Sequence, residues 1–356
     1  MQQNTYYTPQ KNISIFIIGA GGIINDAHLP AYQIAGYRVD GIYDLNHEKA
    51  MALAAKFDIK NVFTSLSHMI ANSNEHTVFD IALPATAIMD VLKQLPDKAA
   101  VLIQKPMGNS YTEAKEILEL TEAKQMIAAI NFQLRYAPFI EAARKIVQQG
   151  SVGELCDIEV HVNVHTPWNL WTFMHGMPRI EILYHSIHYV DLIRSFLGNP
   201  NGMYAKTVKH PGMNELASVR TSIIMDYGDM VRANILTNHC HQFGYQNQQS
   251  YIKFEGTKGA IKINMGVLID YPRGVPDRFE YIIIEENKQP EWKQMEVNGG
   301  WFPHAFIGSM AQVMMAVDGI IPRPDNSVQD CIDTMACVEA AYKSSDSGGI
   351  KLTDIN

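Results

Sequence analysis

Residues 13–22 read Ile-Ser-Ile-Phe-Ile-Ile-Gly-Ala-Gly-Gly, and this stretch decides the fold of the first part of the chain. The apolar run before Gly19 is rich in β-branched residues, which predicts a buried parallel strand. A helical pattern follows through Tyr32, so the turn at residues 19–22 joins a strand to a helix. Glycines in such a turn permit a tight bend and let the backbone approach a pyrophosphate at the helix N-terminus. We therefore predict a dinucleotide-binding α/β domain that holds the phosphates of a nicotinamide cofactor on this turn.

An acidic residue closes the next predicted strand. Asp44 follows the stretch from Tyr37 to Tyr43 and lies about 20 residues beyond Gly21, the spacing expected of a ribose-binding acid. Its carboxylate can accept hydrogen bonds from the adenosine ribose and would repel a 2′-phosphate, so NAD is favoured over NADP. Ile24 stands where a third small residue is usual, which predicts looser packing of the helix on the strand.

The hydrophobic pattern divides the chain into two domains. Strands and helices alternate up to Asn131, which predicts a parallel, doubly wound sheet in an α/β Rossmann dinucleotide-binding domain at residues 1–131. Longer alternating stretches such as Leu155 to His165 follow, and they predict an α+β substrate-binding domain with a mostly antiparallel open sheet at residues 132–356. Because an open sheet leaves one face uncovered, we expect a homodimer or homotetramer formed through it.

Composition excludes several classes of partner. The net charge of the 356 residues is -8 and no strongly basic block occurs, which argues against nucleic acid and anionic membranes. The N-terminal residues 1–12 are polar, and the apolar stretch after them is short and interrupted by glycine, so no signal or membrane segment is predicted. The four cysteines form no C-x-x-C pair, which favours a reducing cytoplasm.

A series of short motifs then follows in chain order. They are Gly19-Ala20-Gly21-Gly22-Ile23 with His28-Leu29-Pro30-Ala31, Ala82-Leu83-Pro84, Gln104-Lys105-Pro106, Asn131-Phe132-Gln133-Leu134-Arg135-Tyr136, His188-Tyr189-Val190-Asp191 and Glu255-Gly256-Thr257-Lys258-Gly259. In this order the chain resembles the glucose-fructose oxidoreductase / inositol dehydrogenase / MocA (Gfo/Idh/MocA) family of NAD(P)-dependent oxidoreductases, from Ile13 to about Leu352. The resemblance implies that further residues contact the cofactor, namely Gly22, Ile23, Leu83, Pro84, Gln104, Lys105 and Arg135.

Lys105 is the first candidate catalytic residue. It follows a buried strand, and ligands of doubly wound folds bind at the carboxyl ends of the strands. The alternative is a solvated surface lysine. The resemblance implies that Lys105 binds the substrate hydroxyl and polarises it. The family usually has Glu-Lys-Pro where this chain has Gln104, so we expect a lower lysine pKa here than beside a glutamate.

The second candidate group lies in a predicted helix from Arg179 to Leu197. On a regular α-helix Glu181, Tyr184, His185 and His188 would share one face. His188 is the natural acid/base, because imidazole titrates near neutral pH. The family usually carries an aspartate where this chain has Tyr184, so Tyr184 or His185 would take part in catalysis or substrate binding instead. The alternatives are histidines satisfied by their neighbours, or a zinc-binding pair, for which the sequence indicates no obvious third ligand.

An aromatic segment and a histidine-rich segment complete the candidates. Trp168 suits a sugar or polyol substrate because aromatic rings pack on the apolar faces of sugars, although a tryptophan that caps a core or an oligomer interface would look the same. His239-Cys240-His241 resembles a metal triplet, but Cys240 would point away from both histidines on a strand. We therefore predict no metal site.

Together these features predict an enzyme that transfers a hydride between nicotinamide and a hydroxyl-bearing carbon of a sugar, polyol or sugar derivative. Two alternatives stay open. One is an NAD-dependent glycoside hydrolase, a reaction known within the same family. The other is a non-catalytic regulatory protein that senses the dinucleotide, which the replacement of the usual acids by Gln104 and Tyr184 would suit.

Overall fold

The computed structural model describes residues 6–355. These residues form two compact units. One comprises residues 6–140 and 298–335, and the other comprises residues 141–297 and 336–355. Across the described part of the chain, no helix has the length and apolar character required to cross a membrane.

Residues 6–355 contain fourteen strands, which form two sheets, one in each unit. The first sheet contains β1 Ser14–Ile18, β2 Val39–Tyr43, β3 Asn61–Val62, β4 Thr77–Ile81, β5 Ala100–Ile103 and β6 Ile127–Ile130. The second contains β7 Leu155–Asn163, β8 Gly202–Val208, β9 Arg220–Asp226, β10 Arg232–Asn238, β11 Gln249–Gly256, β12 Gly259–Asn264, β13 Arg278–Ile283 and β14 Lys293–Met295.

Nine α-helices accompany these strands within the described residues. They are α1 Leu29–Ala35, α2 His47–Phe57, α3 Leu66–Ala71, α4 Ala85–Gln94, α5 Tyr111–Ala123, α6 Pro138–Gln148, α7 Ile187–Leu197, α8 Ala305–Asp318 and α9 Val328–Ser347. Side-chain caps fix several starts: Asn46 accepts a hydrogen bond from the Lys49 amide at the start of α2, and Ser65 does the same for His68 at α3.

The first sheet has the strand order β3-β2-β1-β4-β5-β6, and all of its neighbouring strands are parallel. This confirms the predicted doubly wound α/β domain. All residues of β1 and β4 are buried, as expected of parallel strands covered on both faces. The later helix α8 belongs to the same core, to which it contributes Phe306, Met310 and Met314. The first unit therefore includes a distant part of the chain.

The helix after the glycine turn is not a regular α-helix. It passes through a π-helical turn, Ile24–His28, before α1 begins. Ile24 is fully buried in the core of this unit, and looser packing of the helix on the strand stays a prediction. The segment therefore departs from regular α-helical spacing between the glycine turn and α1.

The second sheet has the order β14-β13-β12-β11-β7-β10-β9-β8. Its pairs are antiparallel except for β7 and β10, which are parallel. The predicted mostly antiparallel sheet is confirmed, although the sequence did not indicate the two edge strands β8 and β14. Apolar side chains stand exposed on one face within this unit, including Tyr204, Ile224 and Leu236.

The space around Gly41 on β2 is filled by neighbouring aromatic rings. A Cβ at this position would lie 2.5 Å from the Phe63 ring and 3.3 Å from the Phe16 ring. Both phenylalanines are buried, so we expect Gly41→Ala to lower the free energy of unfolding by about 1–3 kcal/mol through overpacking. Urea denaturation followed by circular dichroism measures the change.

The control is Gly202→Ala on β8, where a Cβ would meet no atom of the described residues within 4 Å. Its expected effect is below about 0.5 kcal/mol. Equal effects of the two substitutions would contradict the packing argument.

Candidate functional site

The glycine turn after β1 has the geometry that its sequence predicts. Gly19 has a φ of +108°, and a Cβ there would lie 2.5 Å from the Ala82 carbonyl oxygen, so both conformation and space require glycine. Gly21 and Gly22 are exposed at the start of the helical segment. A Cβ on Gly21 would meet no described atom within 4 Å. The turn thus offers open backbone at a helix N-terminus, which fits the pyrophosphate of a dinucleotide.

Asp44 lies beside this turn. One of its carboxylate oxygens accepts a hydrogen bond from the Ala20 amide at 2.7 Å, and the other accepts one from the Asn46 amide at 2.7 Å. These bonds hold the carboxylate at the end of β2 against the glycine turn. Each carboxylate oxygen can accept more than one hydrogen bond, so the group can still bind a ribose hydroxyl.

The remaining candidates of the first unit follow the ends of neighbouring parallel strands. Leu83 and Pro84 follow β4, and Gln104 and Lys105 follow β5. Backbone bonds continue past the strand ends, since the Gln104 amide donates to the Ile81 carbonyl at 2.8 Å. The fold therefore brings these residues to one edge of the sheet, the edge at which doubly wound folds bind ligands.

Arg135 has other partners within the same unit. It follows β6, is only 6% exposed, donates to the Asp325 carbonyl at 2.8 Å and pairs with Asp330 at 2.5 Å. These contacts tie the end of β6 to the segment before and at the start of α9. A contact between Arg135 and the cofactor stays a prediction.

The surroundings of Lys105 change the titration of its ammonium group. Desolvation by the surrounding protein lowers the pKa of its ammonium group from the ordinary 10.5 to about 8. The neighbouring Gln104 adds no charge, and its Oε1 accepts a hydrogen bond from Asn131 Nδ2 at 2.8 Å. A lysine with a pKa of about 8 can both donate a hydrogen bond and exchange a proton near neutral pH.

The candidates of the second unit lie on a helix that differs from the prediction. Residues Glu181–Ser186 form a π-helical turn, and α7 begins only at Ile187. The assumption of one regular α-helical face for Glu181, Tyr184, His185 and His188 is therefore wrong, because a π-helix bonds i to i+5 rather than i to i+4. His188 lies in the first turn of α7 and is 8% exposed, and Tyr184 is equally buried.

Glu181 and His239 form a buried pair that the sequence did not reveal. Glu181 Oε1 lies 3.4 Å from His239 Nε2 and accepts a hydrogen bond from Ser186 at 2.8 Å. Burial raises the pKa of Glu181, but His239, Thr221 and Ser186 together more than offset this and hold it below its ordinary value. The only sequence signal was Glu181 itself, a carboxylate on an apolar helix; its partner lies 58 residues later, at the end of β10.

Aromatic rings and imidazoles pack around this pair. The His185 ring centroid lies 4.4 Å from that of His239, and the Trp168 ring lies edge-on to His185 at 5.3 Å. Trp168 is only 6% exposed, so its ring contacts imidazoles in this structure. The structure thus places Trp168, His185, Glu181 and His239 in one cluster within the second unit, while stacking of Trp168 on a sugar stays a prediction.

The triplet of residues 239–241 does not form a joint site. His239 Nδ1 lies 2.9 Å from the Thr166 hydroxyl, whereas His241 Nδ1 lies 3.2 Å from Asn163 Nδ2. Cys240 contacts Met213. The second unit also carries an open groove of about 550 Å³ near His241. Its polar lining includes His165, His241, Gln242, Tyr245, Gln248 and Asp270.

Comparison with known proteins places these features in a family. Residues 13–132 match the GFO_IDH_MocA model, described as an oxidoreductase family with an NAD-binding Rossmann fold. Residues 140–262 match the model of the GFO/IDH/MocA C-terminal domain. The two models together cover more than half of the chain.

Similar proteins include several dehydrogenases. The chain is 29% identical over 149 residues to glucose-6-phosphate 3-dehydrogenase of Bacillus subtilis, which is 41% of each chain. It is 20% identical over 360 residues to D-apiose dehydrogenase of Rhizobium rhizogenes, covering 93% of this chain and 95% of the relative. The structure of levoglucosan dehydrogenase with NADH and levoglucosan superposes with a TM-score of 0.76 at 15% identity, over 95% of this chain and 98% of that one. Several curated relatives are matched over only 27% to 45% of their length.

The low pKa of Lys105 gives a direct prediction. After reductive ¹³C-methylation, NMR should show one lysine that loses its proton at about pH 8, while exposed lysines titrate near their ordinary value. The spectrum of Lys105→Arg assigns the resonance. We expect Gln104→Glu to move this titration to higher pH, because a carboxylate favours the charged lysine. A Lys105 signal that titrates with the exposed lysines would contradict the description of the site.

Proposed function

Because the chain belongs to the Gfo/Idh/MocA oxidoreductase family, with its NAD-binding Rossmann fold, we propose that it transfers a hydride between a nicotinamide cofactor and a hydroxyl-bearing carbon of a sugar, polyol or sugar derivative. The observation that carries this proposal is Lys105, a desolvated lysine that follows β5 at the ligand-binding edge of the sheet. Relatives named glucose-6-phosphate 3-dehydrogenase, D-apiose dehydrogenase and levoglucosan dehydrogenase support a sugar substrate.

Lys105 is assigned to the substrate hydroxyl. Its ammonium group donates a hydrogen bond to the oxygen and stabilises the negative charge that develops there during oxidation. A pKa of about 8 keeps the group largely protonated at neutral pH and lowers the energy of a proton transfer through it. The bound nicotinamide supplies the hydride chemistry, and the chain supplies position and charge.

His188 is assigned to proton transfer from the substrate hydroxyl. Imidazole is suited to this step because its ordinary pKa lies near neutrality. In this proposal Tyr184 donates a hydrogen bond to the substrate, in place of the carboxylate that the family usually carries. His185 and Trp168 contribute to substrate binding, and the groove near His241 offers further polar groups for a hydroxyl-rich ligand.

We also propose a preference for NAD and an oligomeric assembly. Asp44 favours NAD over NADP, since its carboxylate lies beside the glycine turn where a 2′-phosphate would meet a like charge. The exposed apolar side chains of the second sheet, such as Tyr204 and Ile224, support assembly into a homodimer or homotetramer through that face.

A spectrophotometric screen tests the proposed function. The protein is incubated with NAD⁺ or NADP⁺ and a panel of sugars, polyols and glycosides, and the formation of reduced nicotinamide is followed by absorbance. We expect reduction with at least one sugar or polyol and a preference for NAD⁺. Binding of NAD⁺ without reduction across the whole panel would contradict the proposal.

Replacing Lys105 separates catalysis from cofactor binding. We expect Lys105→Met to lower kcat about a hundredfold or more, because it removes both the hydrogen-bond donor and the proton. The dissociation constant of NADH should change less than about threefold, since the phosphate and ribose contacts remain. Lys93→Met, at a 60% exposed lysine of the same unit, is the control and should leave both quantities unchanged. Equal losses in kcat and in NADH affinity would count against the assignment.

Removing the charge of Asp44 should relax cofactor choice. Asp44→Asn keeps one acceptor oxygen for the backbone amides but removes the repulsion of a 2′-phosphate. We expect the ratio of kcat/KM for NADP⁺ to that for NAD⁺ to rise about tenfold or more. The control is Asp40→Asn on the same strand, where the carboxylate pairs with Arg38. An unchanged ratio in Asp44→Asn would show that Asp44 does not select the cofactor.

A further inference from the structure

A hydrogen-bonded group of buried polar side chains in the first unit has no part in the proposed hydride transfer. His28 and Asp80 are fully buried, and His28 Nδ1 lies 2.7 Å from Asp80 Oδ2. The Tyr32 hydroxyl donates to the same oxygen at 2.7 Å. Burying a carboxylate and an imidazole is costly unless they are hydrogen-bonded. A group of this kind inside a sheet-and-helix core therefore calls for an explanation beyond packing.

The hydrogen bonds continue from His28 to the edge of the sheet. Asn131 Nδ2 lies 3.3 Å from His28 Nε2 and 2.8 Å from Gln104 Oε1. Asn131 is itself fully buried, whereas Gln104 is partly exposed. Hydrogen bonds thus lead without a break from the core, through Asn131, to the residue that precedes Lys105.

The hydrogen bonds along these side chains run in one consistent direction, in which Asn131 Nδ2 donates to Gln104 Oε1. Asp80 Oδ2 accepts from the Tyr32 hydroxyl and faces His28 Nδ1, and in the His28 tautomer that carries its proton on Nδ1 the other ring nitrogen, Nε2, is an acceptor. That nitrogen accepts from the Asn131 amide, whose second N–H is then donated to Gln104 Oε1. The Gln104 carbonyl is therefore held toward Asn131. Its Nε2, with two N–H donors, is directed elsewhere.

We propose that His28 and Asn131 are positioning residues that hold the Gln104 amide as a hydrogen-bond donor for the carboxamide oxygen of the bound nicotinamide. Gln104 follows β5 at the carboxyl edge of the sheet, where this fold receives its cofactor. Among residues 6–355, the side chain of Gln104 has Asn131 as its only hydrogen-bond partner, so Gln104 Nε2 is available to a ligand.

The identity of residue 104 matters for this arrangement. A glutamate, the usual residue of the family at this position, would accept the same bond from Asn131 but would present a second acceptor to the ligand. Glutamine presents a donor there and carries no charge. The hydrogen bond from Asn131 thus directs the N–H groups of the Gln104 amide toward the ligand. A glutamine free to rotate would present these N–H groups only part of the time.

Two ligands isolate the proposed contact. NADH carries the carboxamide, whereas ADP-ribose lacks the nicotinamide but keeps the phosphates and both riboses. We expect Gln104→Leu to raise the dissociation constant of NADH about tenfold, as measured by calorimetry, and that of ADP-ribose by less than about twofold. Equal changes for the two ligands, or no change for NADH, would overturn the proposal.

The substitution Asn131→Asp tests the positioning role of Asn131. Asn131→Asp removes both donors, so Gln104 should turn its N–H groups toward the new carboxylate and present its carbonyl to the ligand. We expect the same selective loss of NADH affinity as in Gln104→Leu. In the double variant, Asn131→Asp should cause no further loss. A loss of equal size in both backgrounds would show a merely structural role and overturn the proposal.

A matched control exists in the same unit. Asn326 is also fully buried, and its Nδ2 donates to the Ile130 carbonyl and to Ser309. Asn326→Asp should lower the melting temperature as Asn131→Asp does, with both dissociation constants unchanged. If Asn131→Asp does not fold, Gln104→Glu decides. It keeps the Asn131 bond, and NADH affinity equal to that of the parent would overturn the assignment of the donor.

Discussion

The close approach of two strands at Gly19 is the constraint on which the ligand-binding half of the molecule depends. β1 and β4 are paired over their whole length, and at their ends a Cβ on Gly19 would lie 2.5 Å from the Ala82 carbonyl. The positive φ of Gly19 turns the chain sharply into the helical segment and leaves Gly21 open. β4 in turn pairs with β5 up to Ile81 and Ile103, so Lys105 belongs to the same sheet edge.

The electrostatic surroundings of Asp44 and of Lys105 differ along this sheet edge. Near the glycine turn, the two carboxyl oxygens of Asp44 are held by two backbone amides. Beyond β5, desolvation lowers the pKa of Lys105 to about 8, and Gln104 supplies polarity without charge. The first arrangement suits recognition of a fixed ribose. The second suits a reacting hydroxyl, because a weakly held proton can move as charge develops on oxygen.

Local pattern predicted the parallel sheet of the first unit well, because β1 and the glycine turn are decided by neighbouring residues. Features set by long-range pairing were missed. The edge strand β8 has no apolar alternation of its own, and the Glu181–His239 pair joins residues far apart in sequence. The π-helical turn at Glu181–Ser186 departs from α-helical spacing, so the prediction of one shared helix face failed there.

The central claim is that a hydride passes between nicotinamide and a sugar carbinol carbon, and isotope transfer tests it most directly. The protein is incubated with NAD⁺ and sugars or polyols deuterated at their carbinol carbons, and the reduced cofactor is analysed by mass spectrometry. We expect deuterium in the nicotinamide ring with at least one substrate, and its loss in Lys105→Met. Bound cofactor that acquires no deuterium from any member of the panel would contradict the claim.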